Sequence, residues 1–152
     1  GFIFIGLMNV NGEPYVIEYN VRMGDPETEV VLPRIQSDLL VMLDSLFTGT
    51  LSEADLAVDP RTATTVIAVS GGYPEQYETG KAMRGCETAS EAMLFHAGTK
   101  QDGENIVTNG GRVLALTSFG NNFQEALKIS KNNAELIDFE GKYYRKDIGF
   151  DL

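Results

Sequence analysis

Residues 2–10, FIFIGLMNV, are almost all apolar, and an Asn11-Gly12 pair follows them directly. β-Branched and aromatic side chains suit a pleated surface, and Asn-Gly supplies the two positive-φ residues of a tight hairpin turn. A hairpin is therefore predicted, with residues 14–22 returning antiparallel to the opening strand. Side chains alternate along a strand, which sets Ile17, Tyr19 and Val21 on one face and Glu18, Asn20 and Arg22 on the other. One face is expected to pack and the other to stay polar.

The period then changes. Val31, Leu32, Ile35, Leu39, Leu40, Met42, Leu43, Leu46 and Phe47 recur every three or four residues, which predicts a helix within 28–48 with a wide buried face. Pro33 belongs in its first turn or just before it, Ser37 and Asp38 can cap locally, and Gly49 is a stop. Residues 51–56 are expected to add a short second helix.

Helical spacing ends near Asp59-Pro60-Arg61, and TATTVIAVSGGYP reads as a strand running into a Gly-Gly turn. Two regions are predicted, 1–58 and 59–152. In the second, residues 92–99, 105–108 and 111–119 read as short strands, with Asn109-Gly110-Gly111 turning between the last two. Residues 122–137 carry apolar positions at helical intervals, with Asn121 or Asn122 as N-cap. The fold class expected is α+β: antiparallel strands plus helix, then a small, mainly β domain with one covering helix.

Composition narrows the function classes. A chain of 152 residues with 43% hydrophobic content can bury one core, or a core and a satellite. Twenty-two acidic against twelve basic residues leave a net charge of −10, which repels a nucleic acid backbone but still allows a small phosphorylated ligand held by local bases or divalent cations. No apolar run approaches the roughly 18 residues of a membrane span, and a cytoplasmic setting is expected. The lone Cys86 has no disulfide partner and no companions for zinc, so it is assigned no role. The chain enters strand pattern at its second residue without an initiator Met, and further sequence upstream is expected.

The stretch EYNVRMGDPETE, residues 18–29, holds the candidate chemistry. Magnesium takes oxygen ligands and commonly uses one or two protein carboxylates with phosphate oxygens and water. Glu18 offers carboxylate oxygen and Asn20 an amide oxygen, about 6.6 Å apart in strand rise, and Arg22 could fork onto a phosphate. The plainer alternative is a solvated polar face with an ion pair. Gly24-Asp25-Pro26-Glu27 is a rigid acidic turn beside these residues. It reads either as a ligand loop or as a helix entry with Asp25 as N-cap and Pro26 at the first helical position.

The run VIEYNVRMGDPETEVVLPRI resembles the metal-binding strand and following loop of ATP-grasp enzymes. Its wording is similar to the phosphoribosylamine-glycine ligase (glycinamide ribonucleotide synthetase) family of purine biosynthesis. The likeness extends through GFIFIGLM, SGGYPEQYETGKAMRG, LFHAGTK, VTNGGRVLALTSFG and YYRKDIG, nearly the whole chain in order. The resemblance implies the C-terminal portion of an ATP-grasp domain over 1–58 and the family's small C-terminal domain over 59–152. It implies ATP as co-substrate, Mg²⁺ or Mn²⁺ as metal, and glycine and 5-phosphoribosylamine as substrates. It makes Glu18 and Asn20 metal ligands, Arg22 a contact to the transferring phosphoryl group, and Gly24, Asp25 and Pro26 the loop beside the substrate. Arg112, in TNGGRVL, could touch a substrate phosphate, or be a surface arginine at a strand edge. His96 reads as a structural histidine, Lys81 and Lys100 as solvated, and residues 143–146 as packing the tail on the sheet. The family's phosphate loop and adenine pocket are absent from these residues, so the chain alone is expected to be inactive and to depend on an N-terminal part. The competing readings are another ATP-grasp carboxylate ligase and a non-catalytic acidic module that binds a divalent ion or a partner.

Overall fold

The computed structural model describes residues 1–24 and 26–150. They form two compact units, divided between Pro60 and Arg61.

The first unit opens with a hairpin of β1 (Phe4–Val10) and β2 (Glu13–Asn20). Its turn has Asn11 at φ 54° and Gly12 at φ 93°, the two left-handed residues a two-residue turn requires. Asn9 Oδ1 accepts the Gly12 N–H at 2.8 Å and closes it. Gly6 faces Glu18 while Leu7 faces Val16, so Ile17 is an extra residue in a bulge. The expected division into a packed and a polar face is not found: every β2 residue except Asn20 is exposed. β2 also ends at Asn20, so Arg22 is not a strand residue; Val21 and Arg22 lie in a bend.

The single helix expected within 28–48 is two pieces. α1 (Thr28–Val31) passes into a 3-10 turn over Leu32–Arg34, and α2 (Leu39–Thr48) starts afresh. Pro33 lacks an N–H for an α ladder and sits in the first turn of the 3-10 segment. Ile35 is extended and bridges Val58. Asp38 then caps α2, its Oδ1 accepting Leu40 N–H at 2.9 Å and Val41 N–H at 3.2 Å. Gly49, left-handed at φ 73°, ends it. Instead of a wide buried face, α2 buries only Ser45, and Phe47 is 90% exposed. Residues 51–56 give no α-helix, only a 3-10 turn over Leu51–Glu53. The Arg34 guanidinium donates to Asp59 O at 3.0 and 3.3 Å, and Asp59 N–H returns to Arg34 O at 2.7 Å, which ties the ends of this segment together.

The second unit holds the core. A three-stranded antiparallel sheet runs in the order β3 (Thr62–Val69), β7 (Arg112–Gly120), β4 (Met93–His96), and β5 (Thr99–Asp102) pairs with β6 (Asn105–Thr108) as a separate hairpin. The one strand expected over 92–99 is thus the whole of β4 followed, after a break at Ala97-Gly98, by the first residue of β5. Between them the Ala97 and Gly98 N–H groups both donate to Val113 O, at 3.0 and 3.1 Å, which turns the chain. α3 (Phe123–Leu136) packs on β3 and β7. Asn122 caps it, with Oδ1 accepting Glu125 N–H at 2.9 Å. Leu114, Leu116, Val113 and Ile137 are essentially fully buried, each contributing about 1.5–3 kcal/mol by removal from water. Under α3, Ser118 and Ser130 hydroxyls share a hydrogen bond at 2.6 Å, with Ala126 O 2.7 Å from Ser118 Oγ and Thr64 O 3.1 Å from Ser130 Oγ as acceptors for the remaining proton, so these buried hydroxyls are satisfied. The tail returns as expected: Tyr143 pairs with Val69 through both backbone bonds, and Tyr144 enters the core.

Candidate functional site

On the hairpin, Glu18 stands opposite Gly6 and Asn20 opposite Phe4. Directly opposed residues of an antiparallel pair project to the same face, so the bulge leaves Glu18 and Asn20 together on one face, with Phe4 and Gly6. Gly6 is what makes room: a Cβ there would lie 3.1 Å from Glu18 Cγ. Glu18 is exposed, whereas Asn20 is half-buried and its Nδ2 is sealed from water with no hydrogen-bond partner among the described residues. A buried amide nitrogen left unpaired costs about 1–3 kcal/mol. Nδ2 is enclosed by protein, so a cation could meet this side chain only through its amide oxygen. The donor set is therefore one carboxylate and one amide, chemistry that suits a hard cation sharing its other positions with phosphate and water. Among the described residues no group of three or more His, Cys, Asp or Glu could hold a metal by itself.

Arg22, beyond the strand end, donates from Nη1 to Met23 O at 2.8 Å and is exposed. In the loop that follows, Gly24 N–H donates to Glu27 Oε2 at 3.0 Å and Glu27 N–H to Gly24 O at 3.1 Å. Glycine suits this reciprocal closure, since a Cβ at Gly24 would lie 2.7 Å from the Glu27 carboxyl and that flexible side chain would have to swing aside. The N-cap of α1 is Glu27, and Pro26 is an exposed turn residue ahead of it, not the first helical position. Asp25 lies outside the described residues.

In the second unit, Arg112 is the first residue of β7, exposed and opposite Val69. His96 ends β4 with Nδ1 3.0 Å from Thr99 Oγ1, the hydrogen-bonded arrangement expected of it. Lys100 is exposed on β5. Lys81, expected to be solvated, is instead ion-paired with Glu78 at 2.7 Å and Glu140 at 3.0 Å, its side chain only 25% exposed. Those bonds raise the Lys81 pKa above 10.5, and the bond and charge of Lys81 lower that of Glu78. Cys86 is half-buried, and burial first, then Glu87, pushes its thiol up, away from the reactive thiolate. A cavity of about 640 Å³ lies beside the tail, lined by Glu135, Lys142, Tyr144 and Asp147 among others. Its Lys142 Nζ already binds Ala134 O and Ile137 O, and its Tyr144 hydroxyl donates to Glu135 Oε1 at 3.2 Å, so the groups lining it serve the tail. What the residue-by-residue reading missed is that the turns SGGYP, HAG and NGG meet at one end of the sheet. The signal was there in their glycines.

Residues 63–151 match the model of the phosphoribosylglycinamide synthetase C domain. The chain belongs to the phosphoribosylglycinamide synthetase family. It is similar to the phosphoribosylamine-glycine ligase of Chlorobaculum tepidum, at 44% identity over 98% of this chain and 36% of that protein. The Vibrio cholerae phosphoribosylamine-glycine ligase is 42% identical over 99% of this chain and 36% of its own length. Among solved structures, phosphoribosylamine-glycine ligase from Thermotoga maritima superposes with a TM-score of 0.78 at 38% identity, over 97% of this chain and 36% of that one. The chain thus spans about 36% of the length of the synthetases it matches. Their names support the ligase reading, and no helix among the described residues is long and apolar enough to cross a membrane.

Proposed function

We propose that the chain is the C-terminal part of an ATP- and Mg²⁺-dependent ligase that joins glycine to 5-phosphoribosylamine in purine biosynthesis. In that reaction the γ-phosphoryl group of ATP passes to a glycine carboxylate oxygen, giving glycyl phosphate and ADP. The amine of phosphoribosylamine then attacks the acyl carbon, the carbon–oxygen bond to phosphate breaks, and the amide forms as phosphate leaves with loss of a proton from nitrogen.

The observation that carries the reading is the Glu18–Asn20 pair, a carboxylate and an amide held on one face of a bulged hairpin. These residues would hold Mg²⁺ or Mn²⁺, which supplies charge neutralisation to the ATP phosphates. Arg22 is proposed to contact the transferring phosphoryl group with the guanidinium nitrogens that Met23 O leaves unused. The Gly24–Pro26 loop, closed by Glu27, is proposed to flank the substrate, with Asp25 positioning an amine, and Arg112 to contact the substrate phosphate. The apolar side chains that the first unit leaves exposed are proposed to pack against the N-terminal remainder of the ligase, in keeping with the 36% span. The setting proposed is cytoplasmic, and the 152 residues alone are expected to turn over nothing.

Glu18→Gln and Asn20→Ala in the complete ligase test this. Each is expected to lower Mg²⁺-dependent amide formation by roughly 100-fold or more, as loss of a charge-stabilising contact does, with the melting temperature retained. Undiminished turnover in both variants removes the site, and amide formation by the isolated chain removes the claim that it is partial.

A further inference from the structure

Three turns meet at one end of the three-stranded sheet: SGGYP after β3, HAG after β4 and NGG before β7. The NGG turn is gripped from both sides. Toward β4, Asn109 N–H donates to Gly98 O at 2.8 Å, and a Cβ at Gly98 would lie 2.4 Å from Arg112 O and 2.9 Å from Gly110 Cα. Toward β3, Ser70 N–H donates to Gly111 O and Ser70 Oγ to Gly110 O, both at 2.8 Å. The third side is a ring. Gly111 is buried under Tyr73, and a Cβ on Gly111 would lie 2.1 Å from Tyr73 Cδ2 and 2.6 Å from Cε2, separations no two carbons sustain without moving. Tyr73 is itself fixed, by its own N–H to Ser70 O at 3.1 Å and by Tyr77 standing edge-on with centroids 6.0 Å apart.

This construction sits immediately before Arg112. An arginine loses many rotamers when it binds, so a backbone held on three sides lessens what must be ordered at binding. Tyr73 as a whole residue remains 37% exposed, which places it at the surface beside the turn and not in the core. The ring edge, Cδ2 to Cε2, occupies the space a side chain at position 111 would need, so glycine lets the backbone come this close to Tyr73.

We propose that Tyr73 is a positioning residue for sugar-phosphate recognition: its ring on Gly111, together with Ser70, holds the Gly110–Arg112 turn so that Arg112 presents its guanidinium to the phosphate. The proposal rests on the reading of Arg112 as a phosphate contact made above, and names what aims it.

The test uses the complete ligase, ribose 5-phosphate as probe, and amide NMR shifts as readout, with thermal melting in parallel. The unaltered ligase shows saturable shifts at Gly110, Gly111 and Arg112. Arg112→Ala abolishes them. Tyr73→Ala weakens binding roughly fivefold to tenfold through lost orientation, while Tyr73→Phe, which keeps the ring, stays within about twofold. A structural role alone would lower melting in Tyr73→Ala without changing the affinity of the folded protein. If Arg112→Ala abolishes binding and Tyr73→Ala binds like the unaltered ligase, the positioning role is overturned and the phosphate reading stands. Unchanged binding in Arg112→Ala, or no saturable shift in the unaltered ligase, overturns both. Should Tyr73→Ala melt before it can be titrated, Tyr73→Leu, which keeps apolar cover without a flat face, is read in its place, and unaltered affinity there overturns the positioning role.

Discussion

The two units of this chain put their apolar sequence to opposite ends. In the first, Ile5, Leu7, Val16, Ile17, Leu40 and Phe47 are all exposed, and among its described residues the buried ones are Ser45 and Asp59. In the second, β7 alone buries Val113, Leu114, Ala115, Leu116, Thr117 and Ser118, because it is the central strand and α3 lies on the sheet. Stability is therefore concentrated after residue 61, while the candidate metal and phosphoryl contacts are concentrated before it. A surface that leaves its apolar groups in water is costly unless something else covers it, and the remainder of the ligase is the cover proposed above.

The largest expected contrast is between two leucines. Leu116→Ala, at a fully buried position, should cost roughly 2–5 kcal/mol in denaturant unfolding of the second unit, whereas Leu40→Ala, at 75% exposure, should change stability by about 0.5 kcal/mol or less. Equal losses would show that the first unit has a core of its own.

A smaller contrast separates the two caps. Asp38 and Asn122 perform the same task at α2 and α3, each worth about 1 kcal/mol. Asn122→Ala should lower the unfolding midpoint of the second unit. Asp38→Ala should leave that midpoint unmoved and instead speed hydrogen exchange of the α2 amides, since a helix with one buried residue opens locally. A shift of the common midpoint by Asp38→Ala would merge the units into one cooperative whole.

The smallest effect concerns pH and belongs to the second unit. Burial, then the charge of Glu135 and the hydrogen bond to it, raise the Tyr144 pKa above its ordinary 10.0. The folded state therefore keeps that proton where the unfolded chain has released it. Its contribution is fully present below 10.0 and is lost as pH rises from there through the folded value. Tyr144→Phe should flatten the alkaline limb of the second unit's stability profile, and an unchanged limb would assign it to other groups.

Several elements were legible because they depend on a few neighbouring residues. Asn11-Gly12 dictates a hairpin wherever it lies between apolar runs, Asp38, Gly49 and Asn122 carry their capping chemistry with them, and the acidic excess sets the charge. The stretch around Glu18 and Asn20 was legible in type, as oxygen donors in alternation on a strand. Tertiary structure decided what pattern could not. The apolar period through 28–48 reports only that side chains would share a helical face, and Pro33 and an extended Ile35 broke that face in two. The bulge at Ile17, which only cross-strand pairing can define, reset the faces of β2, and the strand ended before Arg22. The meeting of Tyr73 with Gly111 joins residues 38 positions apart in the chain, as their numbers give. Local rules act through a residue's own dihedrals and nearest hydrogen bonds, whereas burial, register and the company a side chain keeps depend on which distant segment arrives beside it.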